Sequence, residues 1–586
     1  MSKGLQVRWE AVLYLVIGTL AAGLRLGGLN WPPLTEVEAR QALGAAWNTP
    51  GASPHWTPSE GWAPQTPAYN TFTRWIFHFG APDEARARLV PALAGLGLVL
   101  APLWMRPRLG RGSALMTSLV LAVSPSLVTV SRTAGGESIA LVGIATCLAV
   151  LLGEDSGELP EWRWFGAAAA AGLALASGPA VFTAGLGLAL SLLALRVFGR
   201  GKLSRNLIPP AMPSRGWVVA AALAAMLLVA TAFGTSLQDA AGVAGSLSDW
   251  VGGWGRLGGT GALTGILTLI LYEPLALLFG VVGLLLNRGS EDGLVSRCGA
   301  WAGCALLVLL AYPSRQPADL TWIVLPLAVL AGRSLALTFD RISSRWTWLG
   351  HGTLIAVLLL FSGIIWMQLA NYAAGRGPGL FELDPGASLG LAAAVLVVAL
   401  VILVLYAAGW SVSLALESAG GATAVVLVLV CVSTLWRLDF ASSAADAGDL
   451  WRAEATGPGV ELVLKTLEGV SQAHTGRIDA LPVTTAGETS AVMAWVLRDF
   501  PRAAEALPSA SPEVIVTTEG GAPEALAAEY LGQTLTVGER RAWQGILPPE
   551  PVQWWMTPQA PTEPVRWLLL VRCDLATFGE EPPAAP

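Results

Sequence analysis

The stretch LRLGGLNWPPLTEVEARQALGAAWNTP (residues 24–50) carries Glu36, Glu38 and Arg40, with Arg25 just before them. It completes and follows the apolar run AVLYLVIGTLAAGLRLGGL (residues 11–29), which is long enough to cross a bilayer core of about 30 Å. The polar residues therefore hang at one membrane face. Thr35 precedes Glu38 by three residues, the spacing of a capping box, and predicts a short helix over EVEARQALGAAW. Ala39, Ala42, Leu43 and Ala46 give that helix one weakly apolar face, with Trp47 beside it. Glu38 thus has two readings: a helix cap, or a carboxylate placed for chemistry at the membrane edge.

Working outward, the whole chain has this character. Of its 586 residues 54% are hydrophobic and 13% charged, with a mean hydropathy of +0.58. A soluble protein carries about 25% charged residues. About thirteen apolar runs are expected as spans, near 9–29, 87–105, 113–130, 137–153, 163–177, 179–198, 216–236, 262–286, 297–312, 318–339, 348–372, 387–408 and 414–436. The first has no cleavage site after it and reads as an uncleaved span rather than a signal peptide. Residues 440–586 form a separate region with 9 Lys+Arg against 19 Asp+Glu, whereas residues 1–439 hold 26 against 22. The expected architecture is an all-α polytopic membrane body (1–439) and a small α/β soluble domain (440–586), with strands at ALPVTT, EVIVTT and VRWLLLVRC and helices at VELVLKTLEGVSQA and APEALAAEYL.

Lys and Arg in short loops set the orientation. With the N-terminus inside, the basic loops MRPRLGRG (105–112), RVFGRGKLSRNLIPPAMPSR (196–215), NRGSEDGLVSR (287–297) and DRISSR (340–345) fall on the inner side of the cell membrane, and an odd span count puts the tail outside. Segments 30–86 and 236–259 then face outward with it. No basic stripe or nucleic-acid motif is present. Four histidines and no HxH or CxxC pattern give no metal site, and with Cys573 alone in the tail no disulfide can form within it.

Several segments in order resemble the GT-C superfamily of integral membrane glycosyltransferases, of the protein-mannosyltransferase and aminoarabinose-transferase type. They are TEVEARQAL (35–43), TPAY (66–69), FGAPDEARARLVPALAGL (79–96), RPRLGRGSALMTSLVLAVSPSLVTVSRTAGGES (106–138), SGPA (177–180) and YPSRQPADLTWIVLPLAVLAG (312–332), spread over residues 10–335. The tail, with MAWVLRDFP (493–501) and PEVIVTTEGG (512–521), resembles the outer domains of bacterial and archaeal relatives. The resemblance implies an enzyme that moves a sugar from a polyprenyl-phosphate donor substrate to an acceptor hydroxyl at the outer face, and the sequence identifies no cofactor. Its partners would be the lipid-linked donor, membrane lipids and an acceptor glycan, lipid or protein.

The family's acidic dipeptide places an Asp directly before the Glu; here that position is Val37. Glu36 acts from one residue away, Glu38 acts itself, or activity is lost. One residue along a helix turns a side chain by about 100°, so Glu36 is not a simple substitute. A carboxylate base would take the acceptor proton, with Glu38 or Glu36 the candidates. Arg132, Arg315 and Arg25 are candidates for the donor phosphate, since a guanidinium binds two phosphate oxygens. Glu137 and Arg40 are candidates for orienting the acceptor, and Glu273, inside a span, is a functional candidate by position. Trp31, Trp56, Trp62 and Trp75, with Trp250 and Trp254, are candidates for stacking on sugar rings. Two other readings remain: a lipid-sugar binder that keeps the fold without turnover, and a secondary transporter, disfavoured by scarce charge within the spans and no expected pair of broken helices.

Overall fold

The computed structural model describes residues 2–47, 49, 55–57, 66–152, 161–198, 215–256, 258–286, 293–344, 348–377, 384–441, 447–502, 511–521, 526, 528–543, 545–557 and 560–575. Of the residues singled out above, Trp62 lies outside them.

Helix α1 (Ser2–Leu26) leads to α2 (Glu36–Trp47), the short helix foreseen, and then to α3 (Pro67–His78) and α4 (Glu84–Leu100). The chain continues through α5 (Arg106–Leu109), α6 (Arg111–Val123), α7 (Pro125–Ser131), α8 (Glu137–Leu152), α9 (Glu161–Leu175) and α10 (Ala180–Phe198). Each of the thirteen apolar runs contains helix. Among the described residues, however, eight helices are long and apolar enough to cross a membrane, or up to ten if each bent pair is one span. The difference lies in α8, α9 and the helix Arg215–Ala230, whose described parts have 15 or 16 residues and border segments outside the described set. At 1.5 Å per residue these described parts span about 24 Å.

Two spans are broken, contrary to the sequence expectation. Helices α6 and α7 meet at 62°, and Ala262–Tyr272 meets Pro274–Leu286 at 89°. Pro125 and Pro274 start the second halves, since proline lacks the amide that would continue the helix. The breaks brace each other: the Glu273 carboxylate accepts from Ser124 Oγ at 2.6 Å and from Ser126 N at 2.8 Å. Glu273 therefore serves the freed backbone of α7, which is what a break in an apolar medium requires.

The tail is a five-stranded sheet of β1 (Glu454–Thr456), β2 (Val483–Ala486), β3 (Val514–Thr518), β4 (Tyr530–Arg541) and β5 (Thr562–Arg572), in the order β1-β4-β5-β3-β2. Only β2 and β3 run parallel, and their crossover carries the helix Ala491–Val496. Helix Gly459–Thr475 covers VELVLKTLEGVSQA as expected. In APEALAAEYL, by contrast, Tyr530 and Leu531 begin β4, and residues 522–525 and 527 lie outside the described set.

One core lies inside the bundle, around Leu121, Leu127, Trp322 and Leu330. A second runs without interruption from the first loop (Leu34, Leu43, Tyr69, Phe77) into the tail (Val463, Leu467, Trp495, Val516). Loop and tail bury one apolar surface together, which fixes α2 against the sheet domain.

Candidate active site

Helix α2 is set by its own sequence. Glu38 Oε2 accepts from Thr35 N at 3.0 Å and Thr35 Oγ1 accepts from Glu38 N at 3.4 Å, the reciprocal bonds of a capping box. The same carboxylate makes a two-point ion pair with Arg88 of α4, Nε to Oε1 at 2.7 Å and NH2 to Oε2 at 2.8 Å. Thr35 Oγ1 at 3.1 Å and Ala134 N at 3.0 Å bring the hydrogen bonds it accepts to five. Burial alone would push this carboxyl up. The charge and hydrogen bonds of Arg88, with the Thr35 and Ala134 amides, outweigh it and hold the carboxyl below the usual range. A carboxylate so committed is a weak base. Arg88 also donates to the carbonyls of Leu29 and Pro32, so this pair ties α2, α4, the α1 exit and the turn at Ala134 together.

Glu36 faces the tail. Its carboxylate accepts from Ala491 N at 2.6 Å and Val492 N at 3.1 Å, at the start of the helix Ala491–Val496. Arg40, one turn on, lies 3.6 Å from Glu36 with its side chain 40% exposed. Around them Trp56 Nε1 donates to Phe500 O and Trp495 Nε1 to Glu84 Oε1. Trp56 is buried, which removes it as a surface for sugar, whereas Trp75 is exposed and stacks on Phe233 at 5.2 Å. Val37, between the two glutamates, is 66% exposed.

The three arginines expected at the phosphate each close a helix end. Arg25, fully buried, donates to Leu121 O and Ala122 O at the end of α6. Arg132 donates to Leu24 O, Gly27 O and Gly28 O at the end of α1 and lies over the Phe440 ring at 4.4 Å. Arg315 donates to Leu309 O, Leu310 O and Thr260 O. The last carbonyls of a helix lack intrahelical donors and carry the negative dipole end, so guanidinium groups fit there. The phosphate role expected of Arg25 meets a side chain with no accessible surface; Arg132 is 5% exposed, and Arg315 keeps partial exposure.

Glu137 differs from Glu38. It opens α8, keeps partial exposure, and has no Lys or Arg within ion-pair distance among the described residues. Its carboxylate folds back over Gly135, where an added Cβ would meet Oε2 at 2.4 Å. Gly136 approaches the backbone of the turn after α9 so closely that a Cβ would sit 1.7 Å from Ser177 O. Thr66, which donates to Gln41, packs on the same glycine. Asp319, which accepts from Gln316 N at 2.9 Å, lies within electrostatic reach of both Glu137 and Arg315. Asp319 is thus within electrostatic reach of Glu137 and Arg315, Glu38 is within electrostatic reach of Glu137, and the Gln41–Thr66 pair packs on Gly136 next to Glu137. Sequence reading did not single out Asp319 or Arg88. Arg88 is the last charge before the apolar remainder of α4, which was the available signal.

No protein-family model matches the sequence, and no curated protein matches it either. Solved structures do match. ArnT from Cupriavidus metallidurans bound to undecaprenyl phosphate aligns with 99% of this chain and 100% of its own, at 16% identity and a TM-score of 0.55. The same protein in its apo state aligns over 86% of each chain at 16% identity, with a TM-score of 0.50. This chain has the fold of ArnT.

Proposed function

We propose that the protein moves a sugar from a polyprenyl-phosphate donor to an acceptor hydroxyl at the outer membrane face, with the tail domain on that face. The observation that supports this reading is the end-to-end likeness to ArnT bound to undecaprenyl phosphate, tail included. The attacking hydroxyl loses its proton to a base that needs an open lone pair within about 3 Å. Glu38 offers none, because its oxygens already accept five hydrogen bonds. Glu137, partly exposed and with no cation bound to it among the described residues, is the base in this account, and Glu38 holds the loop that shapes the site. The leaving lipid phosphate needs positive charge rather than an acid. Arg315, which keeps partial exposure and lies within electrostatic reach of Asp319, supplies it.

One observation favours a second reading. Val37 is exposed where the resembling family places its Asp, so the chain could bind the lipid-linked sugar without turning it over. The test is reconstitution of the full chain with a pool of polyprenyl-phosphate sugars, measuring release of polyprenyl phosphate. Transfer reads as turnover that Glu137→Gln abolishes and Val37→Asp does not need. Pure binding reads as donor retained without turnover, with turnover appearing in Val37→Asp. Neither retention nor turnover refutes both.

A further inference from the structure

The segment that joins the helices Arg215–Ala230 and Ala262–Tyr272 has its polarity reversed for a loop in water. It forms the short turn Leu237–Ala240 and the helix Ala241–Gly252. Its polar groups face the protein: Asp239 pairs with Arg74, Ser246 is buried, and Trp250 Nε1 donates to Thr183 Oγ1 at 3.1 Å. The opposite face recurs every three or four residues, through Leu237, Ala241, Ala244, Leu247, Val251 and Trp254. All six are exposed, Leu237 by 76% and Val251 by 56%. An ordinary surface helix turns this pattern the other way round, apolar face inward.

Charge and continuity identify what covers that face. Residues 216–255 contain no Lys, Arg, His or Glu and only two Asp. Asp239 is buried and Asp249 half-buried, and the exposed polar side chains between 237 and 254, Gln238 and Ser248, are uncharged. A patch shaped for a protein partner in water has a polar rim. This one has none toward the helix Arg215–Ala230, which packs on the turn Leu237–Ala240 and itself exposes Leu223, Leu227 and Leu228, with Phe233 exposed between them. At 12 residues the helix Ala241–Gly252 is about 18 Å long, too short to cross a bilayer core of about 30 Å. It sits instead at the tail-bearing end, where Ser314 Oγ donates to Gly253 O at 2.9 Å and Tyr312 OH to Trp250 O at 3.2 Å, beside Arg315. Trp254, edge-on to Tyr312 at 5.2 Å, and the exposed Arg256 end the apolar face as aromatic and basic residues end a membrane contact.

We propose that the helix Ala241–Gly252 lies in the plane of the leaflet at the tail-bearing end. Its face from Leu237 to Trp254 is buried among phospholipids at the boundary of headgroups and acyl chains, by apolar contact and without selection for headgroup charge. The proposal concerns lipid contact, and it stands whether or not the sugar-transfer reading does. The experiment is thiol mapping of the full chain in phosphatidylcholine vesicles that hold at most one chain each. Leu247→Cys and Val251→Cys, as separate variants, meet an uncharged, membrane-impermeant polyethylene glycol maleimide, and modification is mapped by peptide. Cys573, exposed in the tail at the same end, reports the fraction of chains within reach. Both introduced thiols should react at least tenfold more slowly than Cys573, although the chain itself leaves both positions uncovered. The same protection, within twofold, is expected in phosphatidylglycerol vesicles. Slowing of less than tenfold would put the face in water. Protection only in vesicles that hold two or more chains would give it to a second copy, and protection more than twofold stronger in phosphatidylglycerol would make a charged headgroup the partner. Each of these results would overturn the proposal.

Discussion

Replacing Glu38 separates its structural role from a chemical one. The side chains of Glu38 and Arg88 are 4% and 3% exposed, and two short contacts join them. Removing one partner of such a pair leaves an uncompensated buried charge, which costs about 3–5 kcal/mol. Glu38→Ala also strips the Ala134 amide of its acceptor, for about another 1 kcal/mol. The double variant Glu38→Ala/Arg88→Ala leaves no orphan charge, so it should fall short of the sum of the single variants by about 2 kcal/mol. Because the Glu38 carboxyl is depressed in the fold, the stability it contributes is present above its ordinary value of 4.5 and lost as pH falls through the lower folded value. The assay is denaturation of the full chain in detergent micelles at pH 7, read by protease protection of the first loop. A Glu38→Ala protein of wild-type stability that has lost sugar transfer would refute this reasoning and make Glu38 the base.

Three other outcomes follow from the packing. Glu36→Ala removes the acceptor of two amides at the start of the helix Ala491–Val496, and should loosen the tail by about 1 kcal/mol, seen as faster proteolysis between first loop and tail. Gly136→Ala drives a Cβ into Ser177 O, and should cost about 2 kcal/mol in the same denaturation assay while lowering turnover through the displaced Glu137. Asp449, bonded to the Tyr272 hydroxyl and 3.5 Å from Arg437, joins the tail to the bundle, and burial pushes its carboxyl up to about 6 from 3.8. A raised folded value means the contribution is complete below pH 3.8 and lost as pH rises through about 6. Asp449→Asn should therefore flatten the melting profile between those values and stabilise the protein at pH 7 by up to about 3 kcal/mol.

How much of this was legible in the sequence differs from residue to residue. Local features read well. The Thr35–Glu38 spacing gave α2, the buried Ala39, Ala42, Leu43 and Ala46 are the face its periodicity foresaw, and the apolar runs are helical. The span count is left at eight to ten among the described residues, since α8 and α9 border a segment outside them. Pro125 and Pro274 sat in plain view inside apolar runs and marked the two breaks. Partners distant in the chain were not legible. Nothing in TEVEARQAL says that Glu38 meets Arg88 or that Glu36 meets Ala491, and those contacts decide which carboxylate is left open. The arginines taken for phosphate ligands followed a sound charge argument. Unfilled helix-end carbonyls compete for the same guanidinium, and for Arg25 burial settles that competition.

The most direct test of the central claim is native mass spectrometry of the full chain after incubation with polyprenyl-phosphate-linked sugars. One donor per chain is expected, consumed by wild type when acceptor is added, accumulating on Glu137→Gln, and bound at least tenfold more weakly by Arg315→Gln. A chain that retains no polyprenyl-phosphate species in any of these forms, while melting as a folded protein, would contradict it.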